Sequence, residues 1–272
     1  MSIKLILFSL LFLFFGNDTY FTKKSQSHSP KIIMAVFAHA DDETNIAPLL
    51  SNYARKGYLV YLVVATNGNK GIKEHAGIPA GDSLAKTRKA ELICTAQTLK
   101  IQPPIFLEFN DGTLANSTSS ADLSFLLLNL FEKIKPDAVI TWGPEGVYGH
   151  TDHRIVHNIV SEIFQSGKFS WPQQLFYTGI PTEHKTAQST FSTPTIKWLF
   201  ENWKTVKKEW LSVRIKCDEK DWLVSQQALR CNQSQFTAAE MEEAQLLVKK
   251  FSKDTIYLRP FLPSQKISTT LF

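Results

Sequence analysis

Two short clusters gather residues able to do chemistry in this 272-residue sequence. The first is His39-Ala40-Asp41-Asp42-Glu43 and the second is Tyr148-Gly149-His150-Thr151-Asp152-His153. Zinc takes imidazole and carboxylate ligands, and a catalytic zinc keeps three protein donors and one position open for water. The His39/Asp42 spacing lets both side chains meet one ion where the chain turns, and His153 offers a third donor from across the site. An ion held this way lowers the pKa of its water to about 7. A nearby carboxylate that is not a ligand then takes the proton, and Asp41 stands in the right place. Each residue also has a plainer use. Asp42 and Asp152 are favoured helix N-caps, and His150 and His153 lie one turn apart if both are helical, as on a solvated face. The conjunction of the two clusters favours the metal.

That conjunction depends on the elements that carry the clusters. Ile32–Ala38 (IIMAVFA) is a short, unbroken apolar run, as expected of a strand buried on both sides. Further strands are predicted over 58–65, 105–108, 138–141 and 174–178. Helices are predicted between them over 44–55, 83–99, 121–134 and 152–165. This alternation implies an α/β fold, a Rossmann-like three-layer sandwich with a mainly parallel sheet. Ligands of such sheets bind beyond the carboxyl ends of the strands. The loops at 39–43, 66–82, 109–117 and 142–153 therefore share one edge, and both clusters lie on it. After residue 180 the pattern reads as an irregular C-terminal α+β extension. The Trp-rich stretch 197–217 suggests one or two strands. Thr237 and Glu240 form a capping-box signature that opens a helix to about Phe251, and Asp254–Arg259 suggests a last strand.

The two clusters resemble the signature of the LmbE-like and PIG-L family of zinc-dependent N-deacetylases. The family pattern is A-H-P-D-D-E after the first strand and G-H-x-D-H after the fourth. Here they read Ala38-His39-Ala40-Asp41-Asp42-Glu43 and Gly149-His150-Thr151-Asp152-His153. The likeness covers roughly residues 31–165. It implies removal of an acyl group, such as acetyl, from an N-acetylglucosamine-like amino sugar or glycoconjugate. It implies His39, Asp42 and His153 as ligands of one Zn2+ per chain and Asp41 as general base. His150 is implied as the acid or electrostatic partner that helps the amine leave, Asp152 as the group orienting a histidine, and Tyr148 as the stabiliser of the oxyanion. Looser matches make Arg88 and Asp111 substrate contacts; their plain readings are a helix-surface ion pair with Glu91 and an Asp-Gly turn. Ala40 stands where the family has proline. In the family stretch K-x-x-A-L-x-x-H-x-S-Q, the Lys and His positions hold Ser225 and Asn232, so the resemblance does not imply that the C-terminal part shapes the same substrate pocket.

Other classes fit less well. The G-x-G-x-x-G of a dinucleotide binder is missing after the first strand, and the carboxylates there would repel a pyrophosphate. The net charge is +5, with Lys and Arg scattered, so no nucleic-acid partner is expected. An acylated metabolite other than a sugar, or sugar recognition without catalysis, remain the alternatives. Residues 1–16 carry Lys4 and an apolar run, Leu5–Phe15, relieved only by Ser9. They read as a signal peptide or an N-terminal anchor, with 17–30 as linker and 31–272 as the folded domain. The protein is thus expected to be exported (periplasmic or secreted) or tethered to a membrane through that segment alone. The cysteines, Cys94, Cys217 and Cys231, show no metal-binding spacing. They read as buried thiols, with a Cys217–Cys231 disulfide possible after export.

Overall fold

The computed structural model describes residues 29–168, 170–185, 191–252 and 254–272. Residues 1–16 and nearly all of the 17–30 segment lie outside the described residues. Among the described residues, no helix is long and apolar enough to cross a membrane.

Seven strands form one sheet in the order β3-β2-β1-β4-β5-β7-β6. The strands are β1 Ile32–Phe37, β2 Leu59–Thr66, β3 Ile105–Phe109, β4 Ala138–Thr141, β5 Gln174–Thr178, β6 Val213–Lys216 and β7 Thr255–Pro260. The first five run parallel; β7 and β6 extend the same sheet antiparallel beyond β5. The C-terminal extension is thus continuous with the sheet. Its helices are α5 Thr182–Lys185, α6 Pro194–Asn202, α7 Glu219–Leu229 and α8 Ala238–Ser252.

The crossover helices are α1 Ala47–Arg55, α2 Asp82–Leu99, α3 Ser117–Ile134 and α4 Thr151–Gln165. Side chains alternate across a strand with a period of two. Ile33, Ala35 and Phe37 therefore pack with Leu49, Leu50, Leu92 and Trp222 on one face. Met34, Val36 and Ala38 pack with Leu123, Leu127, Phe131 and Val160 on the other. Burial on both faces explains the unbroken apolar run in β1. The chain reverses its order between β1 and β4, and such a switch point opens a crevice at the carboxyl ends of the two strands.

Several expectations change in detail. Helix α1 starts at Ala47, because Asp42–Asn45 winds into a separate 3-10 turn first. Helix α3 starts at Ser117, where the Asn116 side chain accepts the Thr118 N–H. Of the Trp-rich stretch, only Val213–Lys216 is a strand, while Trp198 sits in α6, which opens on Pro194. Helix α7 was not anticipated, although Asp218 and Asp221 form a reciprocal capping box at its start.

The disulfide is also corrected. It joins Cys94 to Cys231, and Cys217 is the free, buried thiol. The reason is that α7 packs along α2, where Thr95 Oγ1 donates to the Ala228 carbonyl, and its end brings Cys231 beside Cys94. Cys217 instead faces the core beneath α1, where burial pushes its thiol up.

Candidate metal centre and active site

The carboxyl end of β1 delivers His39, and the turn that follows brings Asp42 back beneath it. Asp42 Oδ2 accepts three N–H groups: Ala38 at 3.1 Å, His39 at 2.9 Å and the Trp142 indole at 3.0 Å. With that oxygen saturated, Oδ1 faces His153 Nε2 at 3.2 Å. Burial alone would raise the Asp42 carboxyl. The His153 and His39 rings outweigh it and hold it well below the usual carboxylate range.

His39 Nδ1 lies 3.0 Å from His153 Nε2 and 3.7 Å from Asp42 Oδ2. Donors bound tetrahedrally at 2.0–2.2 Å from one ion would stand about 3.4 Å apart. The three residues have that spacing, and two imidazole nitrogens aimed at each other can share at most one proton. On its far side, His39 Nε2 lies 3.1 Å from Asp111 Oδ1 and 3.4 Å from Asp152 Oδ2. A carboxylate behind a histidine is the usual support of a metal ligand. Burial disfavours charge on the His39 ring, but Asp111, Asp152 and Asp42 raise it to about 10. The site therefore draws positive charge, and the donor set fits a divalent cation. His150 is also near, since donor atoms of His39, His150 and His153 lie within 4.8 Å of one another.

Asp41 adopts a left-handed backbone, φ 89°, and its N–H donates to Glu43 Oε2 at 3.0 Å. Its carboxylate lies 3.0 Å from Arg88 Nη2, which also donates to the Ala40 carbonyl. Burial raises the Asp41 carboxyl and Arg88 opposes that rise. Arg88 is thus a buried brace rather than half of a surface pair with Glu91. Glu91 instead accepts from the Ser234 N–H and hydroxyl at 2.6 and 2.7 Å. The Gly-rich loop makes room for this brace: a Cβ on Gly68 would stand 2.7 Å from Arg88 Cδ. Glu43 is fully buried, and burial with the Asp41 and Asp42 charges pushes it up to about 8.

The second cluster follows β4. His150 caps α4, its Nδ1 accepting the Asp152 N–H at 3.2 Å. Because an N–H can only donate, the neutral His150 ring carries its proton on Nε2. Burial and the neighbouring His39 and His153 rings lower its pKa. The Asp152 side chain does not reach back to His150. It accepts from the Gly112 and Leu114 N–H groups at 2.7 and 3.1 Å, so it fastens the loop after β3 behind His39. Asp111 sits in that loop, at an Asp-Gly turn where Gly112 has φ 73°. Trp142 stacks on His153 with ring centroids 4.8 Å apart. Tyr148 meets the His150 and His153 rings at 5.9 and 5.8 Å, and its phenol is held well above the usual range by burial and by Asp42, Asp41 and Asp111.

The structure thus gathers His39, Asp41, Asp42, Arg88, Asp111, Tyr148, His150 and His153 around one cavity of about 480 Å³. Asp152 stands behind it. Sequence reasoning missed Trp142, whose signal was its place at the end of β4. It also missed Gln235, which lines the cavity and donates to the Gly71 carbonyl at 3.0 Å. Ser225 lines the cavity too, so the C-terminal part does shape the pocket.

Residues 34–164 match the family described as PIG-L, GlcNAc-PI de-N-acetylase. A 1D-myo-inositol 2-acetamido-2-deoxy-alpha-D-glucopyranoside deacetylase of Rhodococcus jostii is 29% identical over 166 residues, 53% of this chain and 57% of that protein. The match therefore spans little more than half the length of that relative. Among solved structures, the N,N'-diacetylchitobiose deacetylase of Pyrococcus horikoshii has a TM-score of 0.63 at 17% identity, covering 86% of this chain and 85% of that one. The 4-carboxy-2-hydroxymuconate hydratase of Pseudomonas putida has a TM-score of 0.59 at 13% identity, covering 86% and 97%. The fold therefore serves more than one chemistry, and the site must decide.

Proposed function

We propose that this chain, whose residues 34–164 match the PIG-L family, is a metal-dependent N-deacetylase acting on an N-acetylglucosamine-like amino sugar. The observation that carries the reading is a carboxylate, Asp41, and an imidazole, His150, lining one cavity with the His39–Asp42–His153 cluster. Amide hydrolysis needs a proton taken from water and one given to the leaving nitrogen. Asp41 can do both in turn, and His150 lines the same cavity as an N–H donor to the leaving group.

One Zn2+ per chain, held by His39, Asp42 and His153, would polarise the amide carbonyl and make a water acidic. Asp41 takes the proton of the attacking water, with Arg88 holding the carboxylate in place. The Tyr148 hydroxyl, high in pKa and so protonated, donates to the carbonyl oxygen as it becomes an oxyanion. The C–N bond breaks as the proton that Asp41 took from water passes to the departing amine, and the neutral His150 ring, its Nδ1 engaged by the Asp152 N–H, donates its Nε2–H as a hydrogen bond to the charge that develops there. Asp152 keeps His39 and the loop of Asp111 in register, and Asp111 accepts from sugar hydroxyls. We also infer export, or tethering through residues 1–16; the Cys94–Cys231 disulfide supports an oxidising compartment.

The test is acetate release from N-acetylglucosamine glycosides beside N-acetylated amines that are not sugars. Release of acetate and free amine in equal amounts from the sugars is expected. Turnover of the other amines alone overturns the sugar reading. Sugar binding without release overturns the hydrolase.

A further inference from the structure

Residues 182–185 and 191–205 belong to an excursion from the sheet, and both of these described parts contribute to the cavity lining. The ends of the excursion are clipped together by a bridge between Pro181 and Val206, with Val206 N–H donating to the Ile180 carbonyl at 2.8 Å. Within it, Ser192 and Thr193 donate their N–H groups to Glu243 of α8 at 2.6 and 3.0 Å. Lys185 Nζ reaches the Glu201 and Trp203 carbonyls at 2.7 and 3.0 Å. The Lys204 N–H donates to the Val147 carbonyl at 2.7 Å, directly beside Tyr148. Helix α6 is therefore fixed at both ends, and Ile196, 1% exposed, anchors it inward.

Trp198 lies on this fixed helix and lines the cavity, yet it remains 50% exposed. Its ring meets Tyr148 edge-on, with centroids 5.2 Å apart. Tyr148 in turn touches the His150 and His153 rings. Trp198 is thus one ring removed from the reacting centre, about where the body of a substrate must lie when its amide reaches the cluster. A large ring held on both sides of its helix and left half bare is an unsatisfied apolar surface. Its negative π face attracts bonds that carry partial positive charge, such as the C–H bonds on the flat face of a pyranose. Other cavity groups, Asp111 and Gln235 among them, offer hydrogen bonds to hydroxyls.

We propose that Trp198 is the platform on which the substrate's sugar ring rests while its N-acyl group lies at the His39–Asp42–His153 cluster. The proposal rests on the amino-sugar reading above and deepens it. It makes Trp198 a specificity residue: it holds the ring and takes no part in proton transfer. Removing it weakens binding of ring-bearing substrates and leaves the chemical step close to its former rate.

The experiment compares wild type, Trp198→Ala and Trp198→Phe on two amides. These are the methyl glycoside of N-acetylglucosamine and N-acetylethanolamine, which carries the amide without the ring. For Trp198→Ala, the ratio of kcat/KM for the sugar over the acyclic amide should fall about tenfold, mainly through a higher KM. Trp198→Phe, which keeps an aromatic face, should restore the ratio to within about threefold. Dissociation constants for the sugar, measured by calorimetry, should follow the same order. An unchanged ratio, or equal losses on both amides, overturns the platform while leaving the deacetylase standing. A wild type that neither binds nor cleaves the sugar overturns the amino-sugar reading and the platform with it.

Discussion

Replacing Asp41 by alanine is expected to leave the metal content of the protein unchanged and to lower amide hydrolysis about 10²–10⁴-fold. The separation follows from geometry. The Asp41 carboxylate is bound to Arg88 at 3.0 Å, whereas the converging ring nitrogens face Asp42. Alanine also leaves the Arg88 guanidinium, only 3% exposed, without its anionic partner. Asp41→Asn is the cleaner companion, because it keeps a polar contact with Arg88 but cannot act as a base. Both variants should show the same loss in kcat with full metal by elemental analysis. Loss of metal from Asp41→Asn would show that this carboxylate is a ligand, and the assignment of base and ligand would have to be exchanged.

The second large effect is on stability. Asp42→Ala should abolish metal binding and also destabilise the metal-free protein by about 3 kcal/mol or more. The wild-type Oδ2 alone receives the Ala38 and His39 amides and the Trp142 indole, all buried. Alanine leaves three donors without an acceptor in a site that water reaches poorly. Urea unfolding of both proteins in the presence of a chelator isolates this part from the contribution of metal binding. Equal midpoints would mean that the three donors find other partners, and that Asp42 acts only as a ligand.

Much of this was legible in the sequence, for physical reasons that differ between regions. The apolar run of β1 and the helices alternating with strands reflect a sheet covered on both faces, and that pattern is local. The positions of His39, Asp42, His150 and His153 followed from one rule about the carboxyl ends of parallel strands. Their mutual distances did not, because they depend on the Asp42 carboxylate turning back to the amides of β1. Arg88 read as a substrate contact through the resemblance, with a surface pair to Glu91 as its plain reading, and neither showed that it braces Asp41. Two glycines in a distant loop make the space that turns the Arg88 side chain inward. The pairing of Cys94 with Cys231 lies 137 residues apart in sequence and was set by the packing of α7 on α2, a helix whose apolar pattern is weak. Trp198 was visible only as one of several tryptophans. Its meaning comes from α6, which lines the cavity and sets Trp198 against Tyr148.

The central claim is that His39, Asp42 and His153 bind one catalytic metal ion, and metal content tests it most directly. Elemental analysis of purified wild type beside His153→Ala should give about one zinc per chain in the former and little in the latter. His153 packs between Trp142 and His39, so circular dichroism must show both proteins folded. A folded, zinc-supplemented wild type that holds no metal, or a His153→Ala variant that keeps a full complement, would contradict the account.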